Sequence, residues 1–247
     1  MTAALSNIAI GLMTTLVSAL GVWLWHRART LRHIRRKAAF FGVSPDTECL
    51  VVMNQNPRLA LTMSHADIQA LVEIAMLVRE LGAQPVIMPW DQLREGIGSR
   101  TEFCIGGPDS NARTGAHLRS YLPGVAKRPY NPARRDSMAF VIGDQRYLRE
   151  REKQEFAVVA KFIPRGASRP VFVISGQTAI KNWASVHFLN SNYKRLAKSL
   201  ASPERFCLVL RITSPELYGH KMVELEADVS TAAFETPKER SSSGGSI

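Results

Sequence analysis

Two stretches of this 247-residue chain repeat one plan: an apolar run, a turn of small residues, then a helix-forming segment. In the first, Phe103-Cys104-Ile105 leads into Gly106-Gly107-Pro108-Asp109-Ser110-Asn111 and on to Ala112–Tyr121. Paired glycines let a backbone turn sharply and approach a ligand closely. Asp109, Ser110 or Asn111 can cap the helix and leave its first amides facing outward, and such a helix start attracts anions. Arg113 and Arg119 follow in the same segment, so an acidic ligand suits it better than a neutral one. In the second stretch, Val171-Phe172-Val173-Ile174 runs into Ser175-Gly176-Gln177-Thr178 and opens a segment that carries Asn182 and Trp183. Short hydrogen-bonding side chains at that place are what the carboxyl edge of an α/β sheet uses to hold ligands. The candidate binding set is therefore Gly106, Gly107, Asp109, Ser110, Asn111 and Arg113 from the first loop, and Ser175, Gly176, Gln177, Thr178 and Asn182 from the second.

Neither loop matches G-x-G-x-x-G or G-x-x-x-x-G-K-[ST], so neither carries a dinucleotide or nucleoside-triphosphate fingerprint. Tight turns with ordinary caps are the competing reading. Asp109 is the best single candidate for an acid or base, being the one acidic residue between 106 and 135. Ser175 stands at a strand-to-helix turn, but Ile-Ser-Gly-Gln lacks the G-x that precedes the serine of a nucleophile elbow. His65, His117, His187 and His220 show no pair spaced as metal ligands on one helix face, and no motif calls for a metal or a cofactor. Glu224, Glu226 and Asp228 alternate with apolar residues as on a half-exposed strand. Tyr121, Tyr130 and Tyr147 lie among arginines without an RNA-binding aromatic pattern.

The elements that must position these loops read as alternating strands and helices. Strands are expected at 49–53, 85–88, 102–106, 170–174, 206–212 and 221–228. Helices are expected from Ser64, whose Ser-x-x-Asp pattern caps a first turn, over 110–121, and over 178–200. Met138–Ile142, Gly143-Asp144, Arg146–Leu148 and Phe156–Ile163 read as antiparallel ribbon around a Gly-Asp turn. The strand, Gly-Gly-Pro loop and helix resemble Rossmann-like folds in general. The expected class is α/β: a Rossmann-like three-layer domain with a mainly parallel sheet and an antiparallel portion, preceded by one N-terminal transmembrane helix.

That last element rests on Ile8–Trp25, 18 residues without a charge, enough to reach roughly 27 Å as a helix. Trp23 and Trp25 close it at the depth where amphipathic rings favour the interface, and basic residues follow at once. A secretory signal would place its charges before the apolar run, so an uncleaved anchor is expected. The chain's net charge of +11 sits in two places. Residues 26–37 hold Arg27, Arg29, Arg32, Arg35, Arg36 and Lys37 with no acid; residues 106–135 hold six basic residues against Asp109. Elsewhere, 20 basic and 20 acidic residues balance. The first cluster orients the bulk of the chain into the cytoplasm and can lie on anionic headgroups. Cys49, Cys104 and Cys207, odd in number and each in an apolar run, suit reduced core thiols.

The expected organisation is a short extracytoplasmic N-terminus at 1–7, a transmembrane helix at 8–25, a basic juxtamembrane segment at 26–48, a cytoplasmic α/β domain at 49–234 and a disordered tail at 235–247. The function this implies is a single-pass, membrane-anchored domain that binds a small anionic ligand, a nucleotide, as a sensor or effector. Small residues such as Gly11 and Thr15, four apart, would let two copies pair through the uncharged run. The alternatives are a membrane-associated enzyme acting on a nucleotide or sugar phosphate, and a tethered scaffold. Because the excess charge is local, nucleic acid is disfavoured as a partner.

Overall fold

The computed structural model describes residues 2–55, 62–94 and 96–236, and the side chains of all of these except residues 2–12 and 14. In chain order the elements are α1 (Thr2–Phe41), β1 (Glu48–Met53), α2 (His65–Glu80), β2 (Gln84–Pro89), β3 (Thr101–Ile105), α3 (Ala112–Tyr121), β4 (Val125–Lys127), β5 (Phe140–Ile142), β6 (Gln145–Tyr147), β7 (Gln154–Phe162), β8 (Val171–Gly176), α4 (Ala179–Ser199), β9 (Phe206–Thr213), α5 (Pro215–Tyr218), β10 (Val223–Asp228) and α6 (Ser230–Phe234).

The central sheet has seven strands in the order β10-β9-β7-β8-β3-β1-β2. β2, β1, β3 and β8 are mutually parallel, whereas β7 runs antiparallel to both β8 and β9, and β10 antiparallel to β9. The chain is thus a mixed α/β protein with a mostly parallel central sheet and a small antiparallel sheet, β4-β5-β6. β3 and β8 are buried along their whole length, as strands covered on both faces must be. Their register sets Phe103 opposite Phe172, and the two rings stack 4.9 Å apart. On that face α2, α4 and the end of α1 bring in Ile74, Leu196 and Phe41. The opposite face is covered by Leu118 of α3 and Leu122 just after it, Phe140 and Ile142 of β5, and Ala233 of α6, packed on Val158, Ala160, Val171 and Val173.

Three features depart from the expectations. Phe156–Ile163 does not extend the ribbon: β7 enters the central sheet between β8 and β9, because its apolar run from Phe156 to Ala160 is buried on both sides. β4 pairs with β5 inside the Pro-rich basic stretch, where no periodicity announces a strand. Packing also begins before residue 49. α1 runs unbroken to Phe41, and Ala38, Phe40, Phe41 and Val43 are buried in the main core.

Among the described residues no helix is long and apolar enough to cross a membrane. Side chains 8–12 and 14 of the apolar run lie outside that set, as do residues 237–247 of the expected tail. The transmembrane helix is therefore without structural support.

Candidate functional site

The strand order reverses between β1 and β3: from β1 the chain crosses through α2 to β2 on one side, while β3 and then β8 lie on the other. α2 covers one face of the sheet and α3 the other. The carboxyl ends of β1 and β3 therefore flank a topological switch point, where open α/β sheets hold ligands. A cleft of about 260 Å³ occupies this place, its wall including Asn54, Gly107, Asp109, Lys127, Gly176 and Thr178. The two glycine loops share it because β3 and β8 are neighbours, and Gly106 N–H donates to the Ile174 carbonyl at 2.9 Å.

Each glycine has its own reason to be there. Gly106 has φ +103°, and a Cβ on it would stand 2.6 Å from Asn54 Cβ, so the β1 and β3 loops can meet only over a hydrogen. At Gly107 a Cβ would fall 2.2 Å from Lys127 Nζ, which leaves the ammonium lying against bare backbone. At Gly176 a Cβ would meet the Thr178 carbonyl oxygen at 2.8 Å and Asn182 N at 3.0 Å, so this glycine lets α4 start tightly against its strand.

Lys127, the last residue of β4, reaches across the cleft and donates to the Gly176 carbonyl at 3.0 Å. Burial pulls its ammonium down to about 8, against the favourable charges of Asp109 and Asp67. Beside it, Asp67 forms a buried knot. Its carboxylate accepts from Ser64 Oγ at 2.8 Å, Asn54 Nδ2 at 2.9 Å and Asn182 Nδ2 at 2.8 Å, while Asn182 Oδ1 accepts from Gly176 N–H at 2.7 Å. α2, α4 and the loops after β1 and β8 are thereby fixed to one another. Two buried atoms near this knot, Asn54 Oδ1 and Ser175 Oγ, have no hydrogen-bond partner among the described residues.

Of the residues expected from the sequence, Gly107, Asp109, Ser110, Gly176, Gln177, Thr178 and Asn182 line the cleft. Asp109 is exposed. Gly106 and Ser175 are buried and are not among the lining residues. Asn111 is fully engaged: it caps α3 by accepting from the Arg113 and Thr114 amides, and its Nδ2 donates to the Val52 and Ile105 carbonyls. The start of α3 is therefore already satisfied. Gln177 is likewise occupied, accepting from Phe156 N–H at 2.8 Å and donating to the Tyr147 carbonyl at 2.9 Å.

Arg113 does not line the cleft. Its guanidinium forks onto Glu102, Nε to Oε1 at 2.6 Å and Nη2 to Oε2 at 2.7 Å, because a carboxylate buried in β3 requires a partner. His117 Nε2 lies 2.8 Å from the same carboxylate, and the Cys104 thiol donates to it at 3.0 Å. Burial would raise the Glu102 carboxyl, but hydrogen bonds from Arg113 and His117 prevail and hold it near 2. Glu102, Cys104 and His117 place three ligating atoms within 4.8 Å of one another. The donor set nevertheless fits a metal poorly, since Arg113 already neutralises the carboxylate and burial drives the Cys104 thiol well up, keeping it protonated. It is an internal ion cluster.

Asn54, Asp67, Lys127, Tyr130, Met138 and Ala179 complete the cleft and lie outside the candidate set. Asp67 had a readable role only as the acid of a capping pattern. Lys127 and Tyr130 lie in the basic stretch, but their aim depends on β4 pairing with β5. Other charges of that stretch are spent locally, Arg134 on Asp136 at 2.7 Å and Arg128 on the same carboxylate at 3.7 Å. No family model matches the chain, and no curated protein or solved structure is significantly similar to it.

Proposed function

We propose that this chain is a membrane-anchored α/β module, residues 26–247 cytoplasmic, whose cleft binds a small anionic ligand, a nucleotide, as a sensor or effector. The observation that carries the ligand reading is the meeting of the Gly107 and Gly176 loops around the Lys127 ammonium at the switch point. Support comes also from α4, which begins at Thr178 on the cleft wall with no side-chain cap. Its start takes over the role expected of α3, whose amides Asn111 satisfies. The cleft has the size for a phosphate and its sugar, with Tyr130, half exposed at the wall, offering a ring face to a base.

The anchoring reading is supported by bare apolar surface. Leu16, Val17, Leu20, Val22, Trp23, Leu24 and Trp25 are each more than half exposed, so apolar side chains lie bare on all sides of the helix. Arg27 and Arg29 then lie over the Trp23 and Trp25 rings at 5.3 and 5.5 Å, the arrangement of an interfacial belt.

Calorimetric titration of the full-length chain in detergent with mono-, di- and cyclic nucleotides tests the cleft; silence across all of them defeats the reading. Retention of the chain in membranes through an alkaline carbonate wash tests the anchor. A second reading, an enzyme acting on a nucleotide or sugar phosphate, is favoured by one observation: Asp109 shares the cleft with Lys127, whose ammonium titrates near 8. Asp109→Asn separates the two, since an enzyme loses turnover while keeping its ligand.

A further inference from the structure

The basic half of α1 does more than flank the apolar run. On α1, Arg29, Arg32 and Arg36 recur at helical spacing and share one stripe. That stripe faces Lys194 and Lys198 of α4 across a groove of about 1040 Å³. Ala28 and Ala39 on α1 and Ala197 on α4 keep the space between the helices open. Lys161 of β7 lies in the groove, itself buried, donating to the Phe40 and Pro203 carbonyls at 2.7 and 2.9 Å. An ammonium has three donors, so one is left. A single acid, Glu204, joins these six cations in the wall. Among the described residues Arg32, Arg36, Lys194 and Lys198 enter no ion pair.

We infer that the α1/α4 groove is a binding site for the headgroup of an anionic phospholipid that carries more than one phosphate. Like charges gathered in a concave, partly desolvated space repel one another, and a polyanion between them removes that cost. From Arg29 to Arg36 the stripe spans about 10 Å along the helix, more than one phosphate needs and enough for two. The lipid source follows from position: the groove opens at Trp25, the residue that closes the uncharged run. The inference rests on the anchoring reading and is independent of the nucleotide cleft. It also divides the basic cluster. Arg27 and Arg35 are not among the groove residues, and Lys37 is buried and paired with Glu80 at 2.6 Å.

The test uses the full-length chain in neutral detergent micelles, offered cardiolipin or phosphatidylglycerol at equal phosphate, with bound lipid read by native mass spectrometry. Cardiolipin is expected to be retained in preference. The double variant Lys194→Gln/Lys198→Gln, both on the α4 wall and removing as many charges as the control below, should lose at least about tenfold in retention. Arg27→Gln/Arg35→Gln, off the groove, should stay within about twofold of the parent. Equal losses in the two variants, or equal retention of the two lipids, overturn the inference in favour of diffuse surface charge. Inorganic tripolyphosphate that displaces cardiolipin at equal affinity overturns the lipid as the source. Release of the chain by alkaline carbonate defeats the anchoring reading instead, and is seen separately from lipid retention.

Discussion

Lys127 and Gly176, 49 residues apart, are joined by a 3.0 Å hydrogen bond from ammonium to carbonyl, which carries a cation from the small sheet into the turn between β8 and α4. Nothing in either segment alone requires it. The bond exists because β4 is laid beside β5 and the glycine at 107 leaves a path for the side chain.

Alanine at the two glycines should separate binding from folding. At Gly107 the new methyl displaces the far end of the Lys127 side chain and meets Ser175 Oγ at an ordinary 3.5 Å, so Gly107→Ala is expected to fold with little change in Tm and to lose ligand affinity. At Gly176 the methyl meets Lys181 Cβ at 2.5 Å and the backbone of Thr178 and Asn182, none of which can swing aside, and Gly176→Ala is expected to cost about 1–3 kcal/mol. Thermal unfolding and nucleotide calorimetry on both variants check the contrast; equal Tm losses would break it.

Lys127→Met should weaken anion binding by roughly 10- to 100-fold, the worth of one charge-assisted hydrogen bond. Because the ammonium titrates near 8, affinity should be greatest below that pH and fall as pH rises through it. Lys127→Arg, which stays charged, should flatten the profile between pH 7 and 9.

The Glu102 cluster should govern acid stability. The carboxyl titrates near 2 when folded against 4.5 when free, so its contribution is complete above pH 4.5 and is lost as pH falls toward 2. The loss amounts to about 3 kcal/mol. Urea unfolding at pH 6, 4 and 3 measures it. Glu102→Gln should be less stable at neutral pH and lack this acid slope, because the charge-assisted fork between Arg113 and the buried carboxylate is lost.

Asp67→Asn sets an amide against the two asparagine donors, Asn54 and Asn182, that the carboxylate now accepts. A loss of about 1–3 kcal/mol is expected, with faster hydrogen exchange at the Gly176 amide, which Asn182 holds. A variant with unchanged exchange there would show that the knot does not brace the second loop.

Much of the frame was legible because it is local. Ser64 capping α2, the Gly143-Asp144 turn between β5 and β6, and the start of α4 after Thr178 all follow from short-range chemistry, and each stands where the residues predict. The pairing of β7 with β8 and β9 is not legible, because an apolar run without alternation does not say which strands it joins.

The two glycine loops, the uncharged run with its basic flank, and the placing of the excess charge are written in residue types at fixed spacing. That the loops share one cleft, that Lys127 enters it, and that Arg113 turns away to Glu102 follow from pairing at a distance. β3 lies next to β8 with 65 residues of chain between them, and a buried carboxylate claims whichever cation the packing brings within reach, which no local pattern records.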